Sequence, residues 1–153
     1  MDLILWRHAE AEEAGPGMSD LERALTPRGE KQAARMAAWL DRQLPEGARV
    51  LASPARRTEQ TALALGRKYK LRDELCPDAS VDDLLTVTQW PASKVPMLVV
   101  GHQPTLGQAI ARLLRLSEAD CAVKKGAVWW LRDREREGHP RTVVVTVQSP
   151  ELL

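Results

Sequence analysis

The chain has 153 residues, 44% of them hydrophobic and 28% charged, which supplies one packed core and argues against a disordered chain. Its 22 basic and 21 acidic side chains leave a formal net charge of +1, so the overall balance recruits neither nucleic acid nor an anionic membrane. A cationic function has to come from a local cluster. Cys76 and Cys121 stand far apart and outside metal-ligand spacing, and a reducing cytoplasm is the expected compartment.

Leu3-Ile4-Leu5-Trp6 is a continuous apolar run of the kind expected for a strand buried on both faces. It is too short for a signal-peptide core and lacks a basic leader, and no stretch approaches membrane-spanning length. Residues 9–24 are polar, with Gly15-Pro16-Gly17 as breakers, and read as a long loop. Thr26-Pro27 then starts a helix, with threonine as cap and proline in the first turn, and Ala33, Ala34, Met36, Ala37 and Leu40 near one face. Pro45 and Gly47 end it.

Arg49-Val50-Leu51-Ala52 is a second strand, and Ser53-Pro54 repeats the cap-plus-proline start for a helix running to about Tyr69. Ser80-Val81-Asp82-Asp83 resembles a capping box before a third helix that Pro91 terminates. Met97-Leu98-Val99-Val100 is another buried-type strand. Gly101-His102-Gln103-Pro104 turns into a fourth helix, with Leu106, Ala109, Ile110, Leu113 and Leu114 inward. Ala127–Leu131 and Thr142–Val147 read as a hairpin about a charged connection from Arg132 to Arg141, with Trp129 and Trp130 split between core and surface. Strands alternating with helices predict a three-layer α/β sandwich over residues 1–153, with a mostly parallel central sheet and an antiparallel edge from the hairpin.

Ligands of open parallel sheets bind beyond the carboxyl ends of the strands. Three such ends carry Arg7-His8, Arg56-Arg57 (after Ser53-Pro54) and Gly101-His102. Guanidinium forks match phosphoryl oxygens, helix amino ends add N–H donors, and an imidazole can take up the phosphoryl group covalently. Singly, each residue has an ordinary explanation: a histidine after a strand is usually a loop residue, and paired arginines are usually a solvated helix face. Their coincidence at three strand ends favours chemistry. A zinc site on His8, His102 and His139 is disfavoured, because no paired spacing or cysteine cluster supports it.

Leu5-Trp6-Arg7-His8-Ala9-Glu10 resembles the Arg-His-Gly signature of the histidine phosphatase (phosphoglycerate mutase-like) superfamily, with alanine in the usual glycine's place. Leu25-Thr26-Pro27-Arg28-Gly29-Glu30, Ser53-Pro54-Ala55-Arg56-Arg57-Thr58 and Val100-Gly101-His102-Gln103-Pro104 resemble its later motifs in order. The short length, Asp73-Glu74-Leu75, Pro77-Asp78-Ala79-Ser80 and Lys124-Lys125-Gly126-Ala127 are similar to the SixA-type phosphohistidine phosphatases. The resemblance implies a phosphoglycerate mutase-like fold, His8 as nucleophile, Arg7 and Arg57 as phosphoryl clamp, and His102 as stabiliser of the transferring group. Arg23 is a further candidate contact, with a solvent-exposed loop arginine as the equal alternative. Glu74 is the candidate general acid, although its context is not the family's usual one and a surface role is at least as well supported. The implied activity removes phosphate from a histidine-phosphorylated protein, of a phosphorelay or phosphocarrier, without cofactor or metal. A phosphomonoesterase acting on small molecules and a non-catalytic phosphate-binding module are the alternatives.

Overall fold

The computed structural model describes every residue except Arg136 and Pro140, which belong to the connection expected between the last two strands. Leu3, Ile4, Leu5 and Trp6 are fully buried in β1 (Asp2–Arg7). A strand covered on both faces has no solvent side to favour polar alternation, hence its unbroken apolar sequence. β1 pairs in parallel with β4 (Met97–Gly101) and antiparallel with β5 (Val128–Asp133). With β2 (Arg49–Ala52), β3 (Lys70–Leu71) and β6 (Thr142–Gln148), the sheet order is β3-β2-β4-β1-β5-β6. The pairings from β3 through β2 and β4 to β1 are parallel, and the β5–β6 hairpin adds the expected antiparallel side.

Successive strand residues project to opposite sheet faces, so one strand feeds two cores. Ile4, Trp6, Val50, Leu98, Val100 and Trp130 form a cluster with Met36, Ala37 and Leu40 of α1 (Pro27–Gln43) and Ala62 of α2 (Arg56–Leu63). Leu3, Leu5, Leu51, Val99 and Leu131 pack instead with Leu84 of α3 (Val81–Thr88) and with Leu106, Ala109 and Ile110 of α4 (Thr105–Leu113). This is the three-layer sandwich.

Two of the three predicted caps form. Thr26 Oγ1 accepts the Gly29 N–H at 2.9 Å, with Pro27 opening α1. Ser80 and Asp83 exchange backbone-to-side-chain bonds of 3.0 and 3.1 Å at the start of α3. The first turn of α1 also lies hard against the chain leaving β1. The Thr26 N–H donates to Glu10 O at 3.0 Å, and a Cβ at Gly29 would stand 2.0 Å from that oxygen.

Three expectations need correction. The helix after β2 covers only Arg56–Leu63; Ala55 precedes it without a side-chain cap, and Gly66, at φ +73°, turns the chain toward β3. That two-residue strand was not foreseen, and both its residues are exposed. The two tryptophans are not divided between core and surface. Trp130 is buried and meets Trp39 edge-on at 6.2 Å, and Trp129 packs half-buried on the opposite core.

Candidate active site

Because β2, β4 and β1 are adjacent and parallel, Ser53, His102 and His8 emerge together at their carboxyl ends. The His8 N–H donates to Gly101 O at 3.1 Å, and its carbonyl accepts the Gly126 N–H at 3.0 Å. These bonds hold the residue from the end of β4 on one side and from the turn that precedes β5 on the other. Nδ1 of the ring lies 2.7 Å from Ala9 O. A carbonyl can only accept, so Nδ1 carries the proton and the lone pair sits on Nε2. The Ala9 N–H donates to Thr61 Oγ1 at 3.2 Å, and Thr61 donates to Arg57 O at 2.8 Å, joining this segment to α2.

The His102 ring stands 5.3 Å from that of His8, centroid to centroid. Its Nε2 is 2.8 Å from Ser53 Oγ, which also accepts the Ala55 N–H at 3.2 Å. The hydroxyl proton is satisfied when Ser53 donates to Nε2, which leaves the His102 proton on Nδ1. Arg7 Nη1 donates to Val123 O at 2.7 Å. Arg57 donates from Nη1 to Asp20 O at 2.7 Å and from Nη2 to Asp20 Oδ2 at 3.0 Å. Arg57 is only 3% exposed whereas Arg56 faces solvent, so the second arginine of the pair is the inward one. Arg23 reaches the same cluster through Asp20, with Nη1 at 3.0 Å from Oδ1, while its Nε donates to Glu12 O at 2.7 Å.

Among the described residues, four buried side-chain polar atoms lack a hydrogen-bond partner, and three of them belong to this cluster: Arg7 Nε, Arg57 Nε and His102 Nδ1. Buried polar atoms are seldom left unpaired. Here they are donors in the cluster that holds His8, a set suited to the oxygens of a tetrahedral anion.

Burial, followed by the positive charges of Arg57, Arg7 and Arg23, pushes the His8 imidazolium down to about 4, against the opposing pull of the Ala9 carbonyl. His102 is lowered to about 3 by burial, by His8 and by Arg57. Both rings are therefore neutral at pH 7, and the positive charge of the site resides on guanidinium groups. Burial and Arg57 lower Arg7 as well.

The other candidates lie outside the cluster. Glu74, on a 3-10 turn (Asp73–Leu75), pairs with Arg72. Its own backbone N–H and Arg72 hold its carboxyl below the usual range, so it is ionised at neutral pH. His139 lies in the β5–β6 connection, beside a cleft of about 620 Å³ bounded by Arg112, Arg115 and Arg141. Three participants were not singled out from the sequence: Ser53, Thr61 and Asp20. Ser53 followed by proline reads as a helix cap, Thr61 as an ordinary helical residue, and Asp20 as one of many polar loop residues.

Residues 3–79 match the family model described as "Histidine phosphatase superfamily (branch 1)". The chain is 33% identical over 121 residues to the phosphohistidine phosphatase SixA of Escherichia coli K12, spanning 74% of each protein. It is likewise 33% identical over 120 residues to an uncharacterized protein of Mycobacterium tuberculosis H37Rv, covering 76% of this chain and 75% of that one. Among solved structures, the protein histidine phosphatase SixA complexed with tungstate superposes with a TM-score of 0.78 at 27% identity, over 99% of both chains.

Proposed function

The chain belongs to the histidine phosphatase superfamily, in its SixA-type branch, and we propose that it dephosphorylates a histidine-phosphorylated protein through a phosphohistidine intermediate on His8. The observation that carries this is the convergence of three buried, unpartnered donors on a histidine whose Nε2 lone pair is free. A binding module would use the donors alone. The neutral ring adds the capacity to react.

In the first step His8 Nε2 forms a bond to phosphorus as the bond to the substrate's ring nitrogen breaks. A substrate protonated at its other ring nitrogen leaves as neutral imidazole. His8 becomes a phosphoimidazolium, and its Nδ1–H still donates to Ala9 O. Arg7, Arg57 and His102 donate to the equatorial oxygens, where the transition state spreads its charge. Water then attacks phosphorus, the bond to His8 breaks, and both water protons remain on the released dihydrogen phosphate. No protonated carboxyl is required in either step. An alkyl ester, by contrast, needs help expelling its alkoxide, and general acids typically supply about 10²–10⁴-fold. The paired, ionised Glu74 fits the first substrate class better than the second.

The test is rapid quenching with a labelled phosphohistidine protein. Acid-labile, base-stable label should appear on the wild type and be absent from His8→Ala. Undiminished turnover by that variant, or small phosphoesters turning over far faster than phosphohistidine, would overturn the proposal.

A further inference from the structure

We propose that Asp20 is a positioning residue for Arg57, holding its guanidinium so that the side-on edge faces the transferring phosphoryl group. The inference rests on the phosphoryl-transfer chemistry proposed above.

Asp20 is the first residue of a short 3-10 turn (Asp20–Glu22) in the strap linking β1 to α1. Its carbonyl oxygen takes Arg57 Nη1 and its Oδ2 takes Nη2, at 2.7 and 3.0 Å. A guanidinium has two edges able to grip an anion, one formed by the two Nη groups and one by Nε with an Nη. Asp20 occupies the first. The second contains Nε, the atom that is buried without a partner. Two contacts from one residue fix the plane of the group as well as its place.

The carboxylate is itself anchored, because Oδ1 accepts Arg23 Nη1 at 3.0 Å and Arg23 is tied to Glu12 O at 2.7 Å. Arg23, and then Arg57, hold the Asp20 carboxyl below its ordinary range, so it is an anion at neutral pH. Charge leads to the same assignment. Arg7, Arg23 and Arg57 carry +3, the two imidazoles are neutral and Asp20 contributes −1, leaving +2 to face a phosphoryl dianion. The Asp20 side chain is 55% exposed, so its removal opens no cavity in the core.

The experiment is a double-mutant cycle read by single-turnover labelling of His8 with phosphoramidate, a small N–P donor that needs no protein substrate. In the wild-type background Asp20→Ala should slow labelling about tenfold with an unchanged melting temperature. Asp20→Asn, which keeps the shape, should slow it too, and Asp20→Glu should recover part of the rate. In an Arg57→Ala background Asp20→Ala should change the rate less than about twofold, because the group it aims is gone. Equal losses in both backgrounds would show that Asp20 merely supports the strap, and no loss in the wild type would overturn the proposal outright. A wild type that takes no label refutes the covalent mechanism instead. Calorimetric binding of inorganic phosphate then decides for Asp20: an effect confined to the background with Arg57 intact upholds it, and an equal or absent effect overturns it.

Discussion

Mild acid should weaken this fold through the two imidazoles at the base of its site. In the unfolded chain His8 and His102 titrate near the ordinary value of 6.5; folded, they titrate at about 4 and about 3. Between those limits the unfolded chain binds protons that the native one refuses. The stability at stake is therefore complete above about pH 6.5 and falls with decreasing pH, by about 1.4 kcal/mol per unit for each ring. Acidification from pH 7.5 to 5 should cost about 2 kcal/mol per imidazole, or about 4 kcal/mol together. That is a large share of the roughly 5–15 kcal/mol that holds a typical domain folded. Urea unfolding at the two pH values measures it, comparing the wild type with a His8→Asn/His102→Asn variant. The paired carboxylates Asp2 and Asp20 also weaken in acid, but they are present in both proteins and cancel in the difference. The wild type should lose about 4 kcal/mol more than the variant. An identical loss in both would show that burial and the arginines do not suppress these protons.

Arg57→Ala should reduce kcat/KM by at least about 10²-fold, whereas the exposed Arg56→Ala should stay within about twofold of the wild type; equal losses would put the clamp in a different register. Gly29→Ala, which drives a Cβ to 2.0 Å from Glu10 O, should cost about 1–3 kcal/mol in urea unfolding, and an unchanged midpoint would contradict the tight approach of α1 to the chain beyond β1.

The elements legible in the sequence were those with a local chemical signature. Leu3–Trp6 reads as a strand because burial on both faces leaves no polar alternation, and Thr26-Pro27 and Ser80–Asp83 read as helix starts because capping is a contact between near neighbours. β3 carried no such mark, being two exposed residues paired only through their backbone. Of the site, Arg7, His8 and His102 were visible because strand ends converge in parallel sheets. Arg57 was distinguished from Arg56 by resemblance, and burial agrees with that choice. Ser53 was misread because serine before proline has a familiar local use, while its actual partner, His102, lies 49 residues away. Asp20 was invisible for the same reason: its bond to Arg57 spans 37 residues, and no periodicity marks a lone acid in a polar loop.

The place of β1 bears on the order in which the protein can be finished as it is synthesised. β1 precedes the other five strands in the chain yet lies inside the sheet, and its two neighbours, β4 and β5, come after α1, β2, α2, β3 and α3. Until Met97–Gly101 has left the ribosome, Leu3–Trp6 is an apolar ribbon with both edges bare, of the kind that invites association with other chains. His8 waits longer still for its own partners. The groups that fasten Arg7 and His8 from the far side, Val123 O, Gly126 N and Ala127 O, follow β4 in the chain and emerge after it. A nascent chain released before them would carry the residues of a phosphatase without the frame that holds His8 in place.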